Sequence, residues 1–132
     1  MRILLVDDEQ GIRRMLGSYL ESLGHELLLA ENGLEARSLL ESLDPKPDVI
    51  VLDNKMPVMD GMTFLKELVP GEQKIPIIMM TGHSELEFEA VAPFGVVEVI
   101  EKPFSFVDIT RALEALPASL REEASTALSH QS

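Results

Sequence analysis

Five short apolar runs, Ile3–Val6, Leu27–Ala30, Val49–Leu52, Ile77–Met80 and Val96–Ile100, punctuate the chain at strand length. Most are continuously apolar rather than alternating, the pattern of strands buried on both faces. Only the last carries a charge, Glu98, which an edge position accommodates. Between the runs, apolar residues recur at helical spacing. Ile12, Met15, Leu16, Tyr19, Leu20 and Leu23 form one stripe, closed by Gly24. Ala36, Leu39, Leu40 and Leu43 form the next, starting at Asn32 and stopping before Pro45. Met62, Leu65, Leu68 and Val69 form a third, ended by Pro70 and Gly71. A weaker fourth helix starts at Ser84, where Glu87 completes a capping box, and Pro93 limits its length. The fifth opens at Ser105, with Asp108 in the capping position, and carries Phe106, Ile109, Leu113 and Leu116. Strands alternating with helices predict an α/β fold: a doubly wound parallel sheet with helices on both faces and right-handed crossovers.

The domain is expected to span 1–116. Residues 117–132 open on Pro117 and end small and polar, so they read as a C-terminal tail or the start of a linker. A chain of 132 residues fits one domain with a real core. Its 23 acids and 11 bases leave a formal charge of −12, which argues against nonspecific binding to nucleic acid or anionic lipid. Metal cations or basic partners suit it better. The absence of cysteine excludes disulfides, thiolate metal sites and cysteine nucleophiles. No apolar run approaches the ~18 residues of a membrane span. The first run is also too short for a signal peptide, so a cytoplasmic protein without membrane contact is expected.

The chemically loaded residues sit just past the runs. Asp7 and Asp8 follow the first, Asp53 the third, Thr81 the fourth and Lys102 the fifth. In a parallel sheet those ends share one edge, with a crevice where the strand order reverses. Two carboxylates ~4 Å apart repel by ~4 kcal/mol at an effective dielectric near 20, and a divalent cation reverses the sign. Oxygen ligands without His or Cys favour Mg²⁺ or Mn²⁺ over zinc. A hydroxyl and an ammonium add the donors a phosphoryl group needs. Asp53 is then the candidate nucleophile. Any one of these residues alone reads as a cap or turn residue; their coincidence at four strand ends is what points to a site.

These motifs resemble the receiver domain of the two-component response-regulator family, from Arg2 to about Leu116. They are Ile-Leu-Leu-Val-Asp7-Asp8-Glu9, Val-Ile-Val-Leu-Asp53, Met56-Pro57-Val58-Met59-Asp60-Gly61, Met80-Thr81-Gly82 and Glu101-Lys102-Pro103-Phe104. The resemblance implies five parallel strands in the order 2-1-3-4-5 with five helices. It implies that Asp53 takes a phosphoryl group from a histidine kinase or phosphotransfer protein. It implies that Asp8 and Asp53 bind Mg²⁺ directly, with the Lys55 backbone carbonyl, and that Asp7 helps mainly through water. Lys102 would pair with the phosphoryl group, Thr81 would move to hydrogen-bond it, and the bond to Pro103 would be cis. The output would be a population shift near helix four and strand five, controlling a protein target or a fused output domain. A shift from 1:99 to 99:1 needs ~5.5 kcal/mol of differential stabilisation.

Three departures matter. Val99 stands where the family usually carries Tyr or Phe, so an aromatic switch is not expected and activation would rest on Thr81 and the loop after strand four. Pro93 and Phe94 replace the usual end of helix four, which weakens the case for dimerisation through it; Phe94 is expected to pack into the core. Lys55 and His83 lie two residues past Asp53 and Thr81, where neither is suited to orient a hydrolytic water. Slow self-dephosphorylation follows, with Lys55 expected to pair with the phosphoryl group. The blander alternative is two exposed, inert side chains. The methionines Met56, Met59, Met62, Met79 and Met80 read as core and loop packing, and His25 and His130 as exposed polar residues.

An enzyme reading, a haloacid-dehalogenase-like Mg²⁺-dependent phosphohydrolase, uses similar residues. It wants a second Asp where Lys55 stands, and a cap for which no insertion is long enough. A flavin-binding module would need Ser, Thr and Gly in the loop where Asp7-Asp8-Glu9 would repel phosphate. The chain is therefore expected to catalyse only its own phosphoryl transfer and dephosphorylation.

Overall fold

The computed structural model describes residues 1–68, 75–82 and 87–116. Pro70, Gly71, His83, Ser84, His130 and the whole 117–132 segment lie outside the described residues. The elements run β1 (Arg2–Val6), α1 (Gln10–Ser22), β2 (Glu26–Ala30), α2 (Gly33–Ser42), β3 (Val49–Asp53) and α3 (Gly61–Glu67). They continue with β4 (Ile77–Thr81), α4 (Phe88–Val91), a 3-10 turn (Ala92–Phe94), β5 (Val96–Glu101) and α5 (Phe106–Glu114). All ladders are parallel, in the order β2-β1-β3-β4-β5. The expected topology holds.

The continuous apolar runs bury both faces of the sheet because helices cover both. Leu4 and Val6 of β1 pack with Ala36 and Leu40 of α2, Phe64 and Leu65 of α3, and Val91 of α4. Ile3 and Leu5, one residue out of phase, pack with Leu16 and Leu20 of α1 and Ile109 and Leu113 of α5. The edges behave differently. Leu29 of β2 is 43% exposed although its run is apolar, because β2 has a neighbour on one side only. β5 is the other edge, as Glu98 foretold.

Local signals set the helix ends. Asn32 accepts from the Glu35 amide (2.8 Å), and Ser105 with Asp108 forms the capping box at α5. Asp60 caps α3 through the Thr63 amide (2.8 Å). Several expectations are corrected. Glu87 is extended and flanks α4 as its N-cap, so it does not complete a capping box in a helix begun at Ser84. Met15 and Leu23 belong to the α1 stripe yet are exposed, since the stripe is wider than the surface α1 lays on the sheet. α3 closes at Glu67 with Leu68 extended, short of Val69. Phe94 is exposed rather than in the core: Pro93 turns the end of α4 into a 3-10 turn that carries the ring outward. Met59, Met79 and Met80 are buried, and Met56 and Met62 pack against the core, as expected. Among the described residues no helix is long and apolar enough to cross a membrane.

Candidate functional site

Strand register brings the acids together. Val6 of β1 lies opposite Leu52 of β3, so the next residues, Asp7 and Asp53, end their strands level. One carboxylate oxygen from each of Asp7, Asp8 and Asp53 falls within 4.8 Å of the others. Asp7 and Asp53 are buried, and Asp8 is exposed. Lys102 follows β5 and is tied back to β4 by its amide, which donates to the Thr81 carbonyl (2.8 Å). Its Nζ lies 3.0 Å from Asp53 Oδ1 and 3.6 Å from Asp7 Oδ2. The Lys102–Pro103 bond is cis.

One cation does not balance this cluster. Burial pushes the Asp53 carboxyl up to about 7, and the neighbouring Asp7 charge adds to the rise; the Lys102 ammonium opposes both and is outweighed. Burial also raises Asp7, against the Glu9 amide that donates to its Oδ1 (2.9 Å). Burial alone would lower Lys102, but its bond to Asp53 and the surrounding acids carry it upward. Asp7 Oδ2 is buried with no hydrogen-bond partner. A buried carboxylate oxygen left this way costs ~1–3 kcal/mol or more, so it calls for a further positive charge. Three converging oxygens without His or Cys fit a hard divalent cation.

An open cleft of about 220 Å³ lies over the cluster, lined by Asp8, Glu9, Asp53, Lys55, Gly82 and Lys102. Thr81 reaches the same sheet edge but is buried, and its hydroxyl donates to the Gly82 carbonyl (3.1 Å). Lys55 is exposed and is one of the residues lining the cleft. Val99 is half-buried against the core beneath α2, α3 and α4. His83 lies outside the described residues. Two contributors were not singled out from the sequence. Glu9 lines the cleft, and Arg13 donates to the Asp7 carbonyl (2.6 Å), holding the start of α1 against the site. Glu9 was legible as the third acid of its motif; Arg13 carried no signal.

The loop after Asp53 is tightly held. The Asn54 amide donates to Met80 O (2.9 Å) and the Gly61 amide to Asn54 O (2.7 Å). Val58 sits at φ 68°, strained for a β-branched residue, inside a turn closed by Met59 N to Pro57 O (2.7 Å). A Cβ on Gly61 would lie 2.7 Å from Asp53 O, so only glycine lets α3 start this close to the site.

Comparison with known proteins decides the family. The model of the response regulator receiver domain matches residues 3–114. The chain belongs to the response regulator receiver domain family. It is 33% identical over 114 residues to sporulation initiation phosphotransferase F of Bacillus subtilis, covering 86% of this chain and 90% of that one. It is 39% identical over 109 residues to the regulatory protein AtoC of Escherichia coli, but spans only 23% of that protein's length. A receiver domain structure from Methanospirillum hungatei superposes with a TM-score of 0.80 at 26% identity, covering 92% of this chain and 97% of that one. As a receiver domain of two-component systems, the chain is a phosphoacceptor signalling module, and its Asp7, Asp8 and Asp53 cluster is the acidic pocket where such domains bind Mg²⁺. The haloacid-dehalogenase alternative finds no support: the family is another, and Lys55 stands where its second Asp is needed.

Proposed function

We propose that Asp53 is the phosphoacceptor. The observation that carries this is the ion pair of Lys102 with a buried Asp53 whose carboxyl opens on the cleft. An Asp53 oxygen attacks the phosphorus of a partner's phosphohistidine. The P–N bond breaks, its electrons stay on the imidazole, and an acyl phosphate forms. Asp8 and Asp53 would hold Mg²⁺ directly with the Lys55 carbonyl, and Asp7 through water; the same oxygens suit Mn²⁺. The metal supplies positive charge against acceptor and phosphoryl oxygens.

The protein's own groups do the rest. Lys102 pairs with the phosphoryl group, and the tightly bonded 54–61 loop holds acceptor and carbonyl in place. Thr81 exchanges its bond to Gly82 for one to the phosphoryl oxygens, which shifts the β4 end. Val99 offers no ring to follow it, so the signal passes through the backbone around Gly82 rather than through an aromatic rotamer. Lys55, at the cleft rim, screens the acyl phosphate and slows hydrolysis; His83 is its proposed companion. Pro103 shapes the turn that presents Lys102. The chain so acts on itself and is no enzyme toward other substrates. Its partners are a histidine kinase or phosphotransfer protein and a downstream target or fused output domain, and a cytoplasmic location goes with them. The receiver unit is 1–116.

Incubation with a small acyl phosphodonor and Mg²⁺, followed by intact mass measurement, should add one phosphoryl group to wild type and none to Asp53→Asn. Equal labelling of both would refute Asp53.

A further inference from the structure

The sheet has two edges, and they are guarded unequally. β5 carries Glu98 in mid-strand, and its pairing with β4 shifts register between Ile77 and Ile78. β2 has neither device. After Glu26 it reads Leu-Leu-Leu-Ala, without proline, and it pairs evenly with β1 along all five residues. The Glu26 amide donates to the Met1 carbonyl (3.0 Å), and the Asp7 amide donates to the Ala30 carbonyl (3.1 Å). Alternate residues of a parallel strand turn to the same neighbour, so Glu26, Leu28 and Ala30 face β1. Leu27 and Leu29 therefore turn their amides and carbonyls outward, where no described residue bonds to them. Leu29 is exposed in its side chain as well, beside α1, where a Cβ on Gly17 would sit 3.7 Å from its Cδ2. Glu21, Glu31, Glu35 and Glu41 flank this strand and are exposed, with no ion pair among the described residues. Of the nearby arginines, Arg2 is paired with Glu26, Arg37 with Glu67, and Arg13 is held at the Asp7 carbonyl, which leaves Arg14.

We propose that the open edge of β2 takes up an extended basic segment of a partner protein as a sixth, antiparallel strand. Parallel sheets of this kind commonly carry an antiparallel strand at an edge. The outward amides and carbonyls of Leu27 and Leu29 supply the pairing, as in other cases where a peptide adds to a sheet. Side chains of the added strand alternate between the two faces. Apolar residues at one set of positions continue the surface of Leu27 and Leu29, and Lys or Arg at the other set meets the flanking glutamates. A second copy of this chain suits the edge less well. Pairing two β2 strands about a two-fold would set the glutamates of both copies around one seam, between chains that each carry a formal charge of −12. The inference does not depend on the phosphoacceptor reading, because β2 lends no residue to the cleft.

The probe is a synthetic peptide of about eight residues in which Val alternates with Lys or Arg, long enough to span β2. One comparator is N-methylated at alternate residues, which removes the pairing amides and keeps the charge. A second has Glu for every base. Amide hydrogen exchange, read by NMR on the full chain, reports the pairing directly. In the free chain the Leu27 and Leu29 amides should exchange fast and those of Leu28 and Ala30 slowly. Saturating peptide should slow Leu27 and Leu29 at least about tenfold, the N-methylated comparator should bind about tenfold weaker, and the acidic one should give no protection. Leu29→Pro removes an outward amide and should abolish protection at Leu27. Leu29→Lys keeps that amide, guards the edge and should weaken binding about tenfold, which tests the edge even if the proline variant fails to fold. Glu21→Lys with Glu31→Lys should weaken it about fivefold, and Glu89→Lys with Glu98→Lys at the other edge less than about twofold. Asp53→Asn should bind the peptide as wild type does, so a failed edge is told apart from a failed phosphoacceptor. Equal protection by the N-methylated peptide, or protection centred away from β2, overturns the proposal. So does slow exchange of Leu27 and Leu29 in the free chain, whether from self-association or from a covering segment of the chain itself.

Discussion

The amino ends of β1 and β2 and the carboxyl ends of β1 and β3 handle charge in opposite ways. At the first, the Arg2 amide donates to Asp48 Oδ2 (2.7 Å), its guanidinium reaches the Pro45 carbonyl, and its Nε lies 2.8 Å from Glu26. The Met1 amino group meets His25 Nδ1 at 3.0 Å, so His25 is half-buried and partnered rather than the exposed polar residue expected of it. At the second, three acids cluster and Lys102 reaches two of them, Asp53 at 3.0 Å and Asp7 at 3.6 Å. The register that stacks the strands is the same at both ends. What differs is whether the charges are balanced within the chain. Balanced charges hold a sheet end together; unbalanced buried ones oppose folding and wait for an ion.

The strongest way to break this contrast is Lys102→Met. Removing the Lys102 ammonium that touches Asp53 should lower the phosphorylation rate about a hundredfold or more. Mg²⁺ affinity at pH 8 should rise rather than fall, because a repelling charge has left two carboxylates. Phosphodonor kinetics and metal titration measure the two separately, and a parallel loss of both would mean that Lys102 merely supports the fold.

The sign of the pH dependence sharpens it further. The Asp53 carboxyl is raised from 3.8 to about 7, so between those values the folded chain holds a proton that the unfolded chain releases. Stability from this group is therefore lost as pH rises from about 4 through 7, by up to ~4 kcal/mol at ~1.4 kcal/mol per unit. Asp7 acts in the same direction. Mg²⁺ should accordingly raise Tm more at pH 8 than at pH 5, and Asp53→Asn should flatten the difference in thermal melts. A Mg²⁺ effect independent of pH would show the acids already balanced.

Gly61→Ala tests the tightness of the same end. Its Cβ would press on Asp53 O and Asn54 Cα, at 2.7 and 2.9 Å, and should cost ~1–3 kcal/mol in a urea midpoint. The smallest effect belongs to the balanced end. Glu26, whose side chain is 66% exposed, should lose less than ~1 kcal/mol on replacement by Ala and leave Mg²⁺ affinity unchanged.

Much of this was legible in the chain. Each apolar run became a strand with at most one residue added at either end, because a buried parallel strand needs unbroken apolar character. Asn32 and Ser105 marked helix starts because an oxygen side chain there satisfies free amides. The acids, Thr81 and Lys102 could be assigned to one sheet edge for the same topological reason. Exposure was harder. Met15, Leu29 and Phe94 look like core residues in sequence, and periodicity names the face a residue is on without saying whether anything covers it.

Composition and periodicity determined the parallel α/β architecture, and the motifs at the strand ends determined which residues could do chemistry. Those are local properties, set by backbone sterics, side-chain period and residue type. Only the tertiary structure decided that Lys102 lies nearer Asp53 than Asp7, that Thr81 begins with its hydroxyl turned to Gly82, and that Phe94 faces outward. Each of these depends on distances between segments far apart in the chain. Electrostatic energy and burial vary with those distances, and no residue's identity encodes them alone.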